Sequence, residues 1–262
     1  MLLGVNIDHI AVLREARKIN DPNPLDALGI CKLAGADQIT IHLREDRRHM
    51  QDSDTIDIIR LSNLPVNLEC SINDEMIEIA CQNKPHRVTL VPENRQEVTT
   101  EGGLDVENNY DKIKQAVEKL HAHEIEVSLF IDPTEKAVME SKGLNVEWIE
   151  LHTGTFTNIY AMLFGGLNKS PHSIKELEIS RNELQARLNE SINDIDTASK
   201  YAQHLGLKVA AGHGLNYQNL EQILSISEIE ELNIGQSIIA RSVFTGLERA
   251  IVDMKELISK RK

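Results

Sequence analysis

The sequence predicts a single α/β domain, a (β/α)8 TIM barrel spanning residues 1–262, with an extra helical insertion after the sixth strand. Three observations carry this. Short apolar runs alternate with longer helical patterns from end to end, the rhythm of repeated β-α units around a parallel sheet. Eight such runs occur in 262 residues, and eight strands each followed by a helix is the arithmetic of that barrel. Most of the runs also end in Asp, His, Glu or Gly, as strands do when they deliver chemistry at one end of a sheet.

In chain order, strands are predicted at residues 2–8, 38–43, 66–70, 87–92, 126–132, 148–154, 208–214 and 231–237. Helices are predicted at residues 24–34, 53–61, 74–82, 108–122, 134–141, 180–205, 217–224 and 239–259. The second run sets Ile39 and Ile41 on one side and Thr40 on the other, then breaks into the charged stretch 42–49. Asn73-Asp74 ahead of Met76, Ile77, Ile79 and Ala80 marks a helix start. Ser180 and Glu183 have the spacing of a capping box, the apolar stripe continues through Leu184, Leu188, Ile192 and Ile195, and Gly206 stops the helix. Residues 155–171 break the alternation. Phe156, Ile159, Tyr160, Met162, Leu163 and Phe164 precede Gly165-Gly166, so this stretch is the inserted helix, expected to cover apolar surface.

The composition, 41% hydrophobic and 26% charged, is that of an ordinary water-soluble chain. A net charge of -13 argues against nucleic acid as a partner, because neutralising a phosphate backbone needs a basic face. No apolar run approaches the roughly 18 residues of a membrane span, and no basic n-region opens the chain, so a cytoplasmic location is expected. Cys31, Cys70 and Cys81 are odd in number and lack C-x-x-C spacing, which suggests neither a disulfide framework nor a zinc ribbon.

In such a barrel the site lies at the carboxyl ends of the strands. Those ends carry Asn6 and Asp8-His9, His42 and Arg44, Glu69, Asp132, Glu150 and His152, His213-Gly214, and Gly235-Gln236. Asn6 and Asp8, like Glu150 and His152, are expected on the same side of their strands. Several acid/base groups converging on one end favour an enzyme, and carboxylate with imidazole suits proton transfers next to carbonyls. No G-x-S-x-G elbow, Walker A or G-x-G-x-x-G is present. Anions have two candidate seats: Arg44, Arg47 and Arg48 with Arg14 and Arg17, and the glycine turns after strands seven and eight. Two seats suit two phosphorylated small molecules. Asp8, His9, His42, Glu69, His152 and His213 could form a metal cage, but their spacing defines none, and the expectation is no metal. Cys70, next to Glu69, should face the core. A metal-dependent hydrolase on the same barrel and a non-catalytic phosphometabolite sensor stay open as rival readings.

A more specific pattern lies in Gly4-Val5-Asn6-Ile7-Asp8-His9-Ile10, His42-Leu43-Arg44-Glu45-Asp46-Arg47-Arg48-His49, Asn67-Leu68-Glu69 and Leu90-Val91-Pro92-Glu93. It continues in Gln96-Glu97-Val98-Thr99-Thr100-Glu101-Gly102-Gly103-Leu104-Asp105, Val127-Ser128-Leu129-Phe130-Ile131-Asp132 and Ile149-Glu150-Leu151-His152-Thr153-Gly154. Ala211-Gly212-His213-Gly214-Leu215 and Leu232-Asn233-Ile234-Gly235 complete it. Together these strings resemble the pyridoxine 5′-phosphate synthase family over nearly the whole chain. The resemblance implies a cofactor-free condensation of 1-deoxy-D-xylulose 5-phosphate with 3-amino-2-oxopropyl phosphate, yielding pyridoxine 5′-phosphate, inorganic phosphate and water. It implies that His42 and Glu69 are proton acceptors, His213 a proton donor, and Glu150 a stabiliser of charge. Asp8, His9, Arg44, His49 and Thr99 would hold the sugar phosphate. Asn6, Arg17, Gly214, Gly235 and Gln236 would hold the amino ketone phosphate.

Two departures stand out. Gln236 occupies a position where the family pattern has histidine, which puts one phosphate contact in question. Residues 155–180 make a longer connection than the family pattern, which bears on the oligomer surface or the lid. A lid is expected at residues 93–105, whose length, polarity, Thr99-Thr100 and Gly102-Gly103 suit closure over a phosphate. A homo-oligomer is expected from the apolar segment 156–164, and the family resemblance suggests an octamer.

Overall fold

The computed structural model describes residues 1–93 and 102–260. Its eight parallel strands close into a barrel in sequence order. They are β1 (Leu2–Asn6), β2 (Gln38–His42), β3 (Val66–Cys70), β4 (Arg87–Leu90), β5 (Glu126–Ile131), β6 (Trp148–His152), β7 (Lys208–Gly212) and β8 (Ile229–Ile234). Around them lie α1 (Asp8–Glu15), α2 (Ala27–Leu33), α3 (Asp52–Leu61), α4 (Asp74–Asn83), α5 (Tyr110–His121), α6 (Glu135–Gly143), α7 (Gly154–Leu163), α8 (Arg181–His204), α9 (Leu220–Leu224), α10 (Gln236–Thr245) and α11 (Leu247–Ser259).

Alternation along each strand sorts side chains into two environments. Leu3, Val5, Ile39, Ile41, Leu68, Val88, Leu129, Ile149, Val209 and Leu232 are all fully buried members of the apolar core beneath the helices. Cys70 is buried in that core too, as its place beside Glu69 predicts. The opposite faces carry Gln38, Thr40, Asn67, Arg87, Thr89, Ser128, Glu231 and Asn233, buried and largely cross-bonded inside the barrel. Barrels of this type are more often filled with branched apolar side chains. The register sets His42 beside Glu69 on neighbouring strands, and both Gly4 and Gly212 beside Asn233.

Several boundaries differ from expectation for local reasons. β1 ends at Asn6, and Asp8 opens a helix that the sequence reading missed. The Asn6 side chain causes the turn: its Oδ1 accepts from Asp8 N–H at 2.9 Å and its Nδ2 donates to Asp8 Oδ2 at 2.9 Å. Asn6 and Asp8 therefore meet across a strand–helix junction and do not share one strand face. β8 spans residues 229–234, displaced toward the N-terminus from the expected 231–237. The last predicted helix is two helices, split at Gly246 with φ 80°, a conformation that glycine adopts without strain. The insertion after β6 is α7 followed by two short 3-10 turns, Leu167–Lys169 and Lys175–Leu177. Phe156, Ile159 and Met162 of α7 are buried, so the segment covers apolar surface as expected. That burial withdraws the support this segment lent to an oligomer, since only Phe164 among its phenylalanines is exposed. Thr99 and most of the expected lid lie outside the described residues.

Candidate active site

A cavity of about 660 Å³ opens at the carboxyl ends of the strands. Of the site residues expected from sequence, Asn6, Asp8, His9, His42, Arg44, His49, Glu69, Glu150, His213, Gly214, Gly235 and Gln236 line it. Arg17 is exposed beyond the end of α1 and is not part of the lining. His152 and Asp132 also stay out of the lining. They stand behind His213, with His152 Nδ1 3.2 Å from Asp132 Oδ1 and the His152 ring edge-on to that of His213 at 4.9 Å.

His42 occupies the end of β2 between two carboxylates. Its Nε2 is 3.0 Å from Glu93 Oε1 and its Nδ1 3.7 Å from Glu69 Oε2. Its backbone N–H donates to Asp8 Oδ1 at 2.8 Å, which ties the start of α1 to the end of β2. Glu93 also accepts from Glu45 N–H at 3.0 Å. Burial opposes its charge, but the bonds from His42 and Glu45 prevail and hold its carboxyl below the ordinary value. Glu93 and the inward Asn233 are site neighbours that the sequence reading did not assign. Glu93 falls at the edge of a loop, while Asn233 was visible only as the residue two before Gly235.

Burial raises the Glu69 carboxyl well above its usual range, with the charges of Glu150 and Asp8 adding to the effect. Burial pushes Glu150 up to about 7 against a hydrogen bond from Asn233; Glu231 raises it further and Arg87 lowers it. His213 is pushed down to about 4, by burial first and by His152 second. Its backbone has φ 82°, uncommon for a residue with a β-carbon, and Thr153 Oγ1 donates to its carbonyl at 2.6 Å. Burial likewise lowers His9 and His49, with Asp8 opposing in each case.

The two anion seats separate unequally. α10 aims its N-terminus at the cavity through Gly235 and Gln236, an arrangement that favours negative charge. Gly214 has φ 78°, and a Cβ there would overlap the Thr157 side chain; at Gly235 it would crowd Asn6. In the arginine seat, Arg44 and Arg48 reach the cavity. Arg14 instead binds Asp54 in a buried bidentate pair, at 2.8 and 2.7 Å, and Arg47 is held by Asp52 and Glu75. These carboxylate partners, of which Asp54 and Glu75 are remote in sequence and Asp52 is local, withdraw both from the seat. Among the described residues no group of three His, Cys, Asp or Glu side chains is placed to hold a metal ion.

A closed barrel with carboxylates and imidazoles gathered at its strand ends around a cavity flanked by a helix N-terminus has the architecture of the (β/α)8 enzymes. Residues 3–260 match the family described as pyridoxal phosphate biosynthesis protein PdxJ, and the chain belongs to that family. It is 71% identical to pyridoxine 5′-phosphate synthase of Aliarcobacter butzleri, over 98% of this chain and 99% of the relative. It is 64% identical to the protein of that name from a Sulfurovum species, over 98% and 100%, and 61% identical to the one from Sulfurimonas denitrificans, over 99% and 100%. Solved structures of the same fold include 3-hexulose-6-phosphate synthase (TM-score 0.60, 15% identity, 98% of this chain and 99% of that one). The tryptophan synthase A-subunit of Pyrococcus furiosus is another (TM-score 0.56, 12% identity, 99% and 96%).

Proposed function

We propose that this protein is a pyridoxine 5′-phosphate synthase, condensing 1-deoxy-D-xylulose 5-phosphate with 3-amino-2-oxopropyl phosphate to pyridoxine 5′-phosphate, phosphate and water. Beside the family membership, the observation that carries the chemistry is the pairing of His42 with Glu69 at one cavity whose far wall holds Glu150 and His213. Closing a pyridine ring from two carbonyl compounds needs imine formation, proton removal from carbon and repeated elimination. In this reading Glu69 and His42 take protons, and a carboxyl raised by burial well above its ordinary value is a stronger base for that work. His213 gives a proton to departing oxygen, and Glu150 faces the positive charge that builds on an imine nitrogen. Asp8, His9, Arg44, His49 and Thr99 hold the sugar phosphate; Asn6, Gly214, Gly235 and Gln236 hold the amino ketone phosphate, and Arg17, exposed beyond α1 and outside the cavity lining, is left out of that seat. No cofactor enters this scheme.

The test is to supply each substrate alone and then both together, each time with and without a chelator. The synthase reading requires pyridoxine 5′-phosphate only from the pair. Phosphate released from one substrate alone, and abolished by the chelator, would indicate a metal-dependent hydrolase. Binding without any product would indicate a sensor. A homo-oligomer, an octamer by family resemblance, is part of the reading, and it is supported by exposed Leu33, Val243 and Phe244. A cytoplasmic location fits a chain in which no described helix is long and apolar enough to cross a membrane.

A further inference from the structure

The polar interior of the barrel plays no part in the chemistry above, yet its upper end touches Glu150. We propose that Asn233 is a positioning residue for Glu150, locked in one amide orientation by Thr40 so that it presents N–H and not C=O to that carboxylate.

Thr40 Oγ1 donates to Asn233 Oδ1 at 3.0 Å, which turns the amide nitrogen the other way. That nitrogen then donates to Glu150 Oε2 at 2.7 Å and lies 3.4 Å from Glu231 Oε1. Glu231 is itself fixed by Arg87 Nη1 at 2.8 Å and Gln38 Nε2 at 3.1 Å. A flipped amide would set its oxygen against two carboxylates, so both ends of the network select the same orientation. Two glycines make room for it. A Cβ at Gly4 would overlap Asn233 Oδ1, and one at Gly212 would overlap Glu150 Oε1. The backbone register sets both glycines directly beside Asn233.

The physical consequence concerns charge. Burial disfavours the Glu150 carboxylate and Glu231 adds repulsion, whereas Asn233 and Arg87 favour the ion. Glu69, across the cavity, shares the same field. A hydrogen bond donated to the ionised form stabilises that form, so losing Asn233 leaves Glu150 protonated through more of the neutral range. The inference rests on the reading that Glu150 stabilises charge during the reaction.

The experiment measures kcat and KM for Asn233→Asp and Thr40→Val, each alone and combined with Glu150→Gln, with folding checked by circular dichroism. Asn233→Asp keeps the shape but removes the donor, and a loss of about 10–100-fold in kcat is expected, with KM for both substrates within about threefold. Thr40→Val, which deletes one hydroxyl and keeps the fold safe if Asn233→Asp misfolds, is expected to cost about 3–10-fold in kcat. With Glu150→Gln already present, each is expected to cost no more than about twofold further, because the partner it acts through is gone. Losses that multiply undiminished in that background, losses confined to KM, or wild-type kcat in both single variants would overturn the inference. Glu150→Gln turning over like the wild type would instead overturn the role of Glu150 itself, and the inference with it.

Discussion

At the scale of single residues, burial moves acids and bases in opposite directions. Glu69 and Glu150 are raised while His213 is lowered, so burial draws all three side chains toward their own uncharged forms. An ionised Glu150 is required in the reading above, and its folded value lies near 7, above the ordinary carboxylate range. Its charge is present above that value and lost as pH falls through it. We therefore expect kcat/KM to decline on the acid side from about pH 7; a decline beginning only near the ordinary carboxylate value of about 4.3 would contradict this. Gln236 tests a neutral donor where the family pattern has histidine. An imidazolium bonds a phosphate roughly twice as strongly as a neutral amide; if backbone N–H groups at Gly214, Gly235 and Gln236 carry most of the load in the proposed seat, the expected difference is about 1 kcal/mol or less. Gln236→His is expected to lower KM for the amino ketone phosphate modestly, most clearly below about pH 6.5, with little change in kcat. A large fall in kcat would assign Gln236 a different role. Residues at strand ends were legible because a change from apolar to charged marks them. Arg14 and Arg47 fall in a candidate anion seat by sequence, but the fold brings in Asp54 and Glu75 from far away in the chain and pairs them off.

At the scale of elements, α1 shows what periodicity cannot say. The run from Leu2 to Ile7 looks like one strand, and only the Asn6 side chain, capturing the Asp8 N–H, ends it. α8 was read almost to the residue, because its capping box and terminal glycine are local chemistry. α1 is fastened to α3 by the buried Arg14–Asp54 pair, and Asp54 also accepts from Gln51 N–H at 2.9 Å. Removing one partner of such a pair leaves an uncompensated charge, so Arg14→Ala is expected to cost about 3 kcal/mol in urea unfolding. A cost under about 0.5 kcal/mol would show that solvent reaches the pair. The α10 terminus depends on close approach. Gly235→Ala should press a methyl against Asn6 and raise KM for the amino ketone phosphate at least about tenfold, with smaller change for the sugar phosphate. Equal effects on both substrates would argue against a dedicated seat.

At the scale of the whole molecule, the barrel itself was legible from eight alternating runs, and its outer apolar layer followed from the same alternation. The polar filling was not. Gln38, Thr40, Arg87, Glu231 and Asn233 alternate with the apolar layer in sequence, and only the closing of the sheet makes their face interior. A proposed oligomer would have to rest on residues other than those that prompted it, since α7 is largely buried while Phe244 is 90% exposed. Light scattering at about micromolar concentration should give a multiple of the 29.5 kDa chain mass, and a monomer would contradict it. The central claim, that acid–base side chains and no metal close the pyridine ring, is tested most directly by product release from chelator-treated protein supplied with both substrates, for the wild type and Glu69→Gln side by side. The expected result is equal amounts of pyridoxine 5′-phosphate and phosphate from the wild type, and a rate lower by about 10²-fold or more in the variant, with substrate binding retained. No product from folded wild type under chelation, or near-normal turnover by Glu69→Gln, would contradict the account.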